Sequence, residues 1–159
     1  MQNEIYIKEV IEKYSDMVYK IALTRCGNLE NAEDIFQEVF IKFSEKTPKF
    51  KSEEHEKAWL IRVTINLTKN IQNSAWNKKV ISQLDDNMIF ETTEEIDVFS
   101  AVCELPQNYR TVIYLLYYEG YKVCEIAKMM KTREGTIKTW AFRAREILKQ
   151  KLEGGLENE

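Results

Sequence analysis

The chain has 159 residues, a formal net charge of −3, and 44% hydrophobic and 31% charged side chains, enough for one medium domain or two small ones. Only five Gly and two Pro are present, which favours helix over strand-rich or loop-rich architectures. No apolar run nears the roughly 18 residues that cross a bilayer, and three widely spaced cysteines with no CxxC pair and a single histidine, His55, argue against a disulfide framework and a zinc site.

Val10, Tyr14, Met17, Val18, Ile21 and Ala22 recur at steps of three and four and define one face of a first helix. Gly27-Asn28 ends it. A second helix opens near Asn31, with Glu33 and Asp34 in a first turn where carboxylates suit the macrodipole. Its apolar positions are Ile35, Phe36, Val39, Phe40 and Phe43, and Pro48 breaks the pattern. A third helix is expected from about His55 to Ser74, with Trp59, Leu60, Val63, Leu67 and Ile71 as its stripe.

Residues 82–100 are acidic and lack Lys and Arg. They read as a linker, either solvated or partly packed through Met88, Ile89 and Phe90. Order restarts at Leu105-Pro106. Val112, Ile113, Leu115 and Leu116 lie on a helix ending at Glu119-Gly120. Two further helices, Val123–Met130 and Glu134–Leu152, flank the short turn Lys131-Thr132-Arg133. Two helices joined by a tight turn, the second longer and basic, match the helix-turn-helix plan. Ile126, Ala127, Met130, Ile137 and Ala141 form its expected core.

Charge is distributed in blocks. Residues 59–83 carry four basic and no acidic side chains, residues 84–104 seven acidic and no basic, and residues 105–152 ten basic and four acidic. Phosphate binding responds to local field, so two basic blocks separated by an acidic one suggest two nucleic-acid surfaces. In the second block Arg133, Thr136, Lys138, Thr139, Arg143 and Arg145 sit in or beside the longer helix of the pair. Its first turn has free backbone N–H groups that can bind phosphate. Arg can pair bidentately with guanine; Lys and Thr can fix the backbone. In the first block, the amide of Asn66 suits the edge of an unstacked base, and Arg62, Lys69, Lys78 and Lys79 can follow a backbone.

Three strings carry a family resemblance. Residues 105–152, with the landmarks Leu105-Pro106, Arg110, Glu119-Gly120, Glu125-Ile126-Ala127, Gly135-Thr136-Ile137-Lys138 and Arg143-Ala144-Arg145, resemble the upstream-element-reading domain of extracytoplasmic-function (ECF) sigma factors. AEDIFQEVFIKF, residues 32–43, resembles the polymerase-binding helix of that family. AWLIRVTINLTKN, residues 58–70, resembles the helix that holds the minus-ten element as a single strand.

The resemblance implies an all-α protein of two small helical domains joined by an acidic linker, the second a helix-turn-helix of winged-helix-like four-helix type. The expected boundaries are 1–80 for polymerase docking and strand binding, 81–104 for the linker, 105–152 for the minus-thirty-five domain and 153–159 for an acidic tail. It implies a non-catalytic RNA polymerase sigma factor with no cofactor and no small-molecule substrate. Expected partners are bacterial core RNA polymerase, promoter DNA and an anti-sigma factor; the expected location is cytoplasmic. Asp34, Gln37, Glu38 and Ile41, at helical steps on one face, are the implied polymerase contacts. Arg62, Asn66, Lys69, Asn70, Lys78 and Lys79 are the implied minus-ten contacts; Arg133, Thr136, Lys138, Thr139, Arg143 and Arg145 are the minus-thirty-five contacts.

Two departures stand out. Asn70 and Asn73 occupy positions where many members carry Asp-x-x-Arg, which predicts a weaker grip on the opened strand. Trp140 stands where a polar or basic residue is usual, and either contacts DNA or packs inward. A stand-alone DNA-binding regulator would share the helix-turn-helix but leave the AEDIFQEVF and AWLIRVTIN strings unexplained. An enzyme is disfavoured, because no phosphate loop or ligand cluster is present.

Overall fold

The structure is a computed structural model that describes residues 2–46, 49–71 and 93–157. The described residues are helical throughout apart from caps and turns, and the chain divides into two compact units, Met1–Gln72 and Asn73–Glu159.

In the first unit, α1 (Gln2–Cys26), α2 (Leu29–Lys46) and α3 (Glu53–Thr68) pack mutually as a three-helix bundle. The α1 stripe is buried as its periodicity predicts, from Val10 through Ala22. Gly27, at φ 75°, closes α1 by donating its N–H to the Leu23 carbonyl at 3.1 Å. The Asn28 side chain then accepts the Asn31 N–H at 2.8 Å, so α2 starts two residues before the position expected from the sequence. Ala32, Ile35, Val39, Phe40 and Phe43 are its buried row, and Phe36 is half-buried against Tyr19 and Phe40.

The third helix differs most from expectation. It runs Glu53–Thr68 and gives way to a turn at Lys69-Asn70, and residues 72–74 of the expected helix lie outside the described residues; Ser52 caps it by accepting the His55 N–H at 3.1 Å. Its buried row is Glu56, Leu60, Ile61, Thr64, Ile65 and Thr68, whereas Trp59, Val63, Leu67 and Ile71 are half-buried. Two threonines hid this face. Thr64 Oγ1 donates to the Leu60 carbonyl at 2.7 Å and Thr68 Oγ1 to the Thr64 carbonyl at 2.9 Å, which lets hydroxyls enter the core without an unmet donor. Thr68 Oγ1 also accepts from Nε of the buried Arg25 at 2.9 Å, tying the end of α1 to the end of α3.

In the second unit, α4 (Thr93–Cys103) occupies part of the stretch read as linker. Phe99, Ala101, Val102 and Cys103 are buried while Glu94, Asp97, Val98 and Glu104 face solvent. Acid on the outer face masked the apolar spacing within. Residues 81–92 of the expected linker, with Met88, Ile89 and Phe90, lie outside the described residues, as does Pro48. The chain continues through α5 (Gln107–Ile113), a π-helical turn Tyr114–Tyr118, α6 (Val123–Met130) and α7 (Glu134–Glu157), the last running past Leu152 into the expected tail. Val102, Leu105, Ile113 and Ala144 form one core cluster, with Tyr109, Ile147 and Leu148 against it. Arg110, 1% exposed, donates from Nη1 to the Leu105 carbonyl at 2.7 Å and so pins the entry to α5. In the α6–α7 pair Ile126, Ala127, Ile137 and Ala141 are buried as expected, but Met129, not Met130, fills the core. α6 is eight residues long with the turn following at once, which rotates Met130 to the rim.

Candidate polymerase and promoter surfaces

Three faces collect the residues singled out from the sequence. On α2, Asp34, Gln37, Glu38 and Ile41 are all exposed and lie opposite the buried row Ala32, Ile35, Val39 and Phe43. Ile41 is 53% exposed, an aliphatic side chain presented beside carboxylates and an amide. Hydrophobic residues that point outward singly are common. An apolar anchor among directional polar groups is also the composition of a protein-binding row.

On α3, Arg62, Asn66 and Lys69 are exposed at steps of four and three, with Asn70 just beyond the helix. They form one solvent-facing strip opposite Leu60, Ile61, Thr64 and Ile65. Lys78 and Lys79 lie outside the described residues. At the other end of α3, Phe50 packs between Phe43, Trp59 and His55, with ring centroids 6.2, 5.9 and 5.6 Å away. Trp59 meets Phe43 edge-on at 5.8 Å. The tryptophan is thus tied to the rim of the bundle through its ring contacts, half-buried and outside the core row.

Three ties from α1 fix this end of α3. Tyr6 donates its hydroxyl to Oε2 of Glu56, a carboxylate only 8% exposed. Lys13 pairs with Glu53 at 3.0 Å, and the Tyr14 hydroxyl reaches the Glu53 carbonyl at 3.5 Å. Burial, followed by the Glu56 carboxylate, pushes the Tyr6 hydroxyl up to about 12. The hydroxyl therefore remains a donor through the whole physiological range.

In the second unit, Ile137, Ala141 and Ala144 bury one side of α7. The opposite side carries Gly135, Lys138, Thr139, Phe142, Arg143 and Glu146, all exposed. The Thr139 hydroxyl donates to the Gly135 carbonyl at 3.0 Å, leaving its oxygen free to accept. Arg133 is exposed in the turn; Thr136 and Trp140 are half-buried. Arg145 stands on the flank, where Nη1 donates to the Tyr117 hydroxyl at 3.2 Å. Phe142 was not singled out from the sequence. At 59% exposure it is a large apolar side chain in the middle of a basic face. Its signal was available: it sits one residue out of phase with the buried 137–141–144 row.

The family comparisons divide along the same lines. Residues 10–77 match the family Sigma-70 region 2, and residues 97–148 match Sigma-70, region 4. Relatives include the ECF RNA polymerase sigma factor SigW of Bacillus subtilis, 25% identical over 91% of this chain and 87% of that protein. The chain belongs to the ECF sigma factors. As a sigma factor it directs RNA polymerase to promoters for transcription initiation.

The region 2 match contains the α2 and α3 faces of this sigma factor, and the region 4 match contains all of α5, α6 and the α7 face. It begins at Asp97, inside α4, in line with packing of that helix into the second unit. The ECF RNA polymerase sigma-E factor of Haemophilus influenzae is 28% identical, over 91% of this chain and 86% of its own. SigM of Bacillus subtilis is 26% identical over 96% and 99%. In fold, the sigma factor resembles the RpoE chain of a complex with the anti-sigma factor NepR from Bartonella quintana. The TM-score is 0.67 at 22% identity, over 92% of this chain and 96% of that one. It also resembles CnrH from a complex with the cytosolic domain of CnrY, with TM-score 0.66 at 16% identity over 95% and 90%. Among the described residues no helix is long and apolar enough to cross a membrane.

Proposed function

We propose that the three exposed faces divide the work of initiation among them. The α2 row of Asp34, Gln37, Glu38 and Ile41 docks on the core enzyme. The α3 strip of Arg62, Asn66, Lys69 and Asn70, with Lys78 and Lys79 further along the sequence, holds the minus-ten element as an unpaired strand. The α7 face reads the minus-thirty-five element in the duplex. The observation that carries this reading is the strict opposition on α2: the polar row with exposed Ile41 lies opposite the row that builds the bundle core.

Each face suits its ligand. An Asn amide offers donor and acceptor to a base edge no longer engaged in pairing, and flanking cations follow the phosphates. On α7, Lys138, Thr139 and Arg143, with Arg133 and Thr136 near the helix start, supply backbone and base-edge contacts. Phe142 adds an apolar surface suited to a thymine methyl. Arg145, held by Tyr117, serves better as a fixed cation beside the duplex than as a base reader. Tethering makes the second DNA contact effectively intramolecular, so two weak contacts yield one specific complex. The protein works without catalysis of its own and without a cofactor, in the cytoplasm with its polymerase. Because two of its structural likenesses come from complexes with a named anti-sigma factor or a partner's cytosolic domain, an anti-sigma factor is the expected regulator.

Co-migration with bacterial core polymerase on gel filtration tests the docking face. Wild type should elute with the core enzyme, and Asp34→Arg/Glu38→Arg, with unchanged circular dichroism, should elute alone. Equal binding by the double variant would remove α2 from the interface.

A further inference from the structure

The helix-turn-helix turn contains a backbone outlier. Lys131, the residue that ends α6, has φ 53° and ψ 49°, and is the one non-glycine residue with positive φ among the described residues. This left-handed conformation brings Cβ close to the following carbonyl oxygen, a clash that glycine avoids and asparagine tolerates. The geometry itself is required. Lys131 donates its N–H to the Lys128 carbonyl at 3.3 Å and Thr132 to the Ala127 carbonyl at 2.9 Å, which closes α6 and turns the chain into α7.

Among the described residues nothing repays a lysine at this position. The side chain is exposed, and no ion pair or hydrogen bond holds its ammonium among the described residues. By contrast Lys151, elsewhere on the same unit, is paired with Glu104. Lys131 stands between Lys128 and Arg133, both exposed, with no acidic side chain from 126 to 133. Arg133 leads directly into the exposed α7 face. A strained residue that persists without an internal reward points to an external one.

We propose that Lys131 is a phosphate-contacting residue of the minus-thirty-five complex, held at the turn despite its backbone strain because the ammonium there meets the DNA backbone where α7 enters the groove. It is a positioning contact: it sets the depth and register of α7 and reads no base. This rests on the assignment of α7 to duplex DNA.

The test uses full-length protein assembled with core polymerase and a promoter duplex that this holoenzyme enriches from a random-sequence library. Lys131→Asn removes the charge and relaxes the backbone, Lys131→Arg keeps charge and strain, and Lys8→Asn removes an exposed charge from the first unit. Lys131→Asn should raise the thermal midpoint of the free protein by a few degrees. It should also weaken the promoter complex and reduce the slope of log affinity against log salt by about 0.9, the loss of one phosphate contact. Lys131→Arg and Lys8→Asn should retain the wild-type slope. An unchanged slope for Lys131→Asn overturns the proposal, whether affinity falls or not, and a lower midpoint overturns the strain on which it rests. Failure of the wild-type holoenzyme to enrich any duplex would instead refute the promoter-binding reading itself.

Discussion

Tyr6→Phe isolates one of the contacts that fix α3 to the rest of its bundle. The substitution removes one oxygen and keeps the ring, which packs against Phe43 at 5.8 Å between centroids. What is lost is the hydroxyl donor to Glu56, a carboxylate with 8% of its surface in water. A hydrogen bond to a charged group contributes about 1.5–3 kcal/mol, and the remaining access of Glu56 to solvent places this one near the lower end, about 1.5 kcal/mol. For a unit of this size that corresponds to a fall of about 6–12 °C in the thermal midpoint of the first unit. Glu56→Gln keeps an acceptor but removes the charge, so Tyr6→Phe in that background should cost about 0.5–1 kcal/mol. The assay is thermal unfolding of the four proteins of the cycle, followed by circular dichroism. Strict additivity, or a Tyr6→Phe midpoint within 2 °C of wild type, would refute the claim that this hydroxyl anchors α1 to α3.

The buried Cys103 thiol and the half-buried Tyr6 hydroxyl give the protein an alkaline limit. Burial pushes the Cys103 thiol up from 9.0 to about 12, with the Arg110 charge opposing and Glu104 reinforcing, and Tyr6 rises from 10.0 to about 12. Both groups stay protonated longer in the folded chain. Their contribution is complete below pH 9 and is lost as pH rises from 9 toward 12, so urea midpoints should be level from pH 7 to 9 and fall above it; a midpoint that rises there would contradict the sign. Cys26 and Cys103 are buried and Cys124 is exposed, so a maleimide should label one thiol per native chain and three after denaturation. Arg110→Met should destabilise the second unit by about 1–3 kcal/mol, because the Leu105 carbonyl loses a buried donor; unfolding of the full chain should show one early transition, and two unchanged transitions would count against that role.

Much of this architecture was legible from side-chain periodicity. The α1 stripe and the α2 rows are clear, because apolar residues recur at steps of three and four and most of the exposed positions between them are polar or charged. The α6–turn–α7 unit was legible for the same reason, helped by its short turn. Where the reading failed, polarity and packing parted company. Thr64 and Thr68 look like surface residues until their hydroxyls are seen bonded to carbonyls of their own helix, and this shifted the assigned face of α3 toward Trp59 and Val63. In α4 the exposed carboxylates of Glu94 and Asp97 mask the Phe99–Val102 spacing, so that composition alone suggests a linker. Phe142 was passed over because a motif rich in Arg drew attention to charge; its phase against Ile137 and Ala141 would have placed it outward. The strain at Lys131 is a dihedral property and has no counterpart in composition.

The most direct test of sigma function is transcription in vitro from sheared genomic DNA of the source bacterium by bacterial core polymerase, with and without the protein, followed by sequencing of transcript 5′ ends. The account predicts protein-dependent start sites that share two upstream motifs and disappear with Asp34→Arg/Glu38→Arg. An absence of protein-dependent starts, together with tight sequence-specific binding of the protein to duplex DNA without polymerase, would contradict it and identify a stand-alone regulator instead.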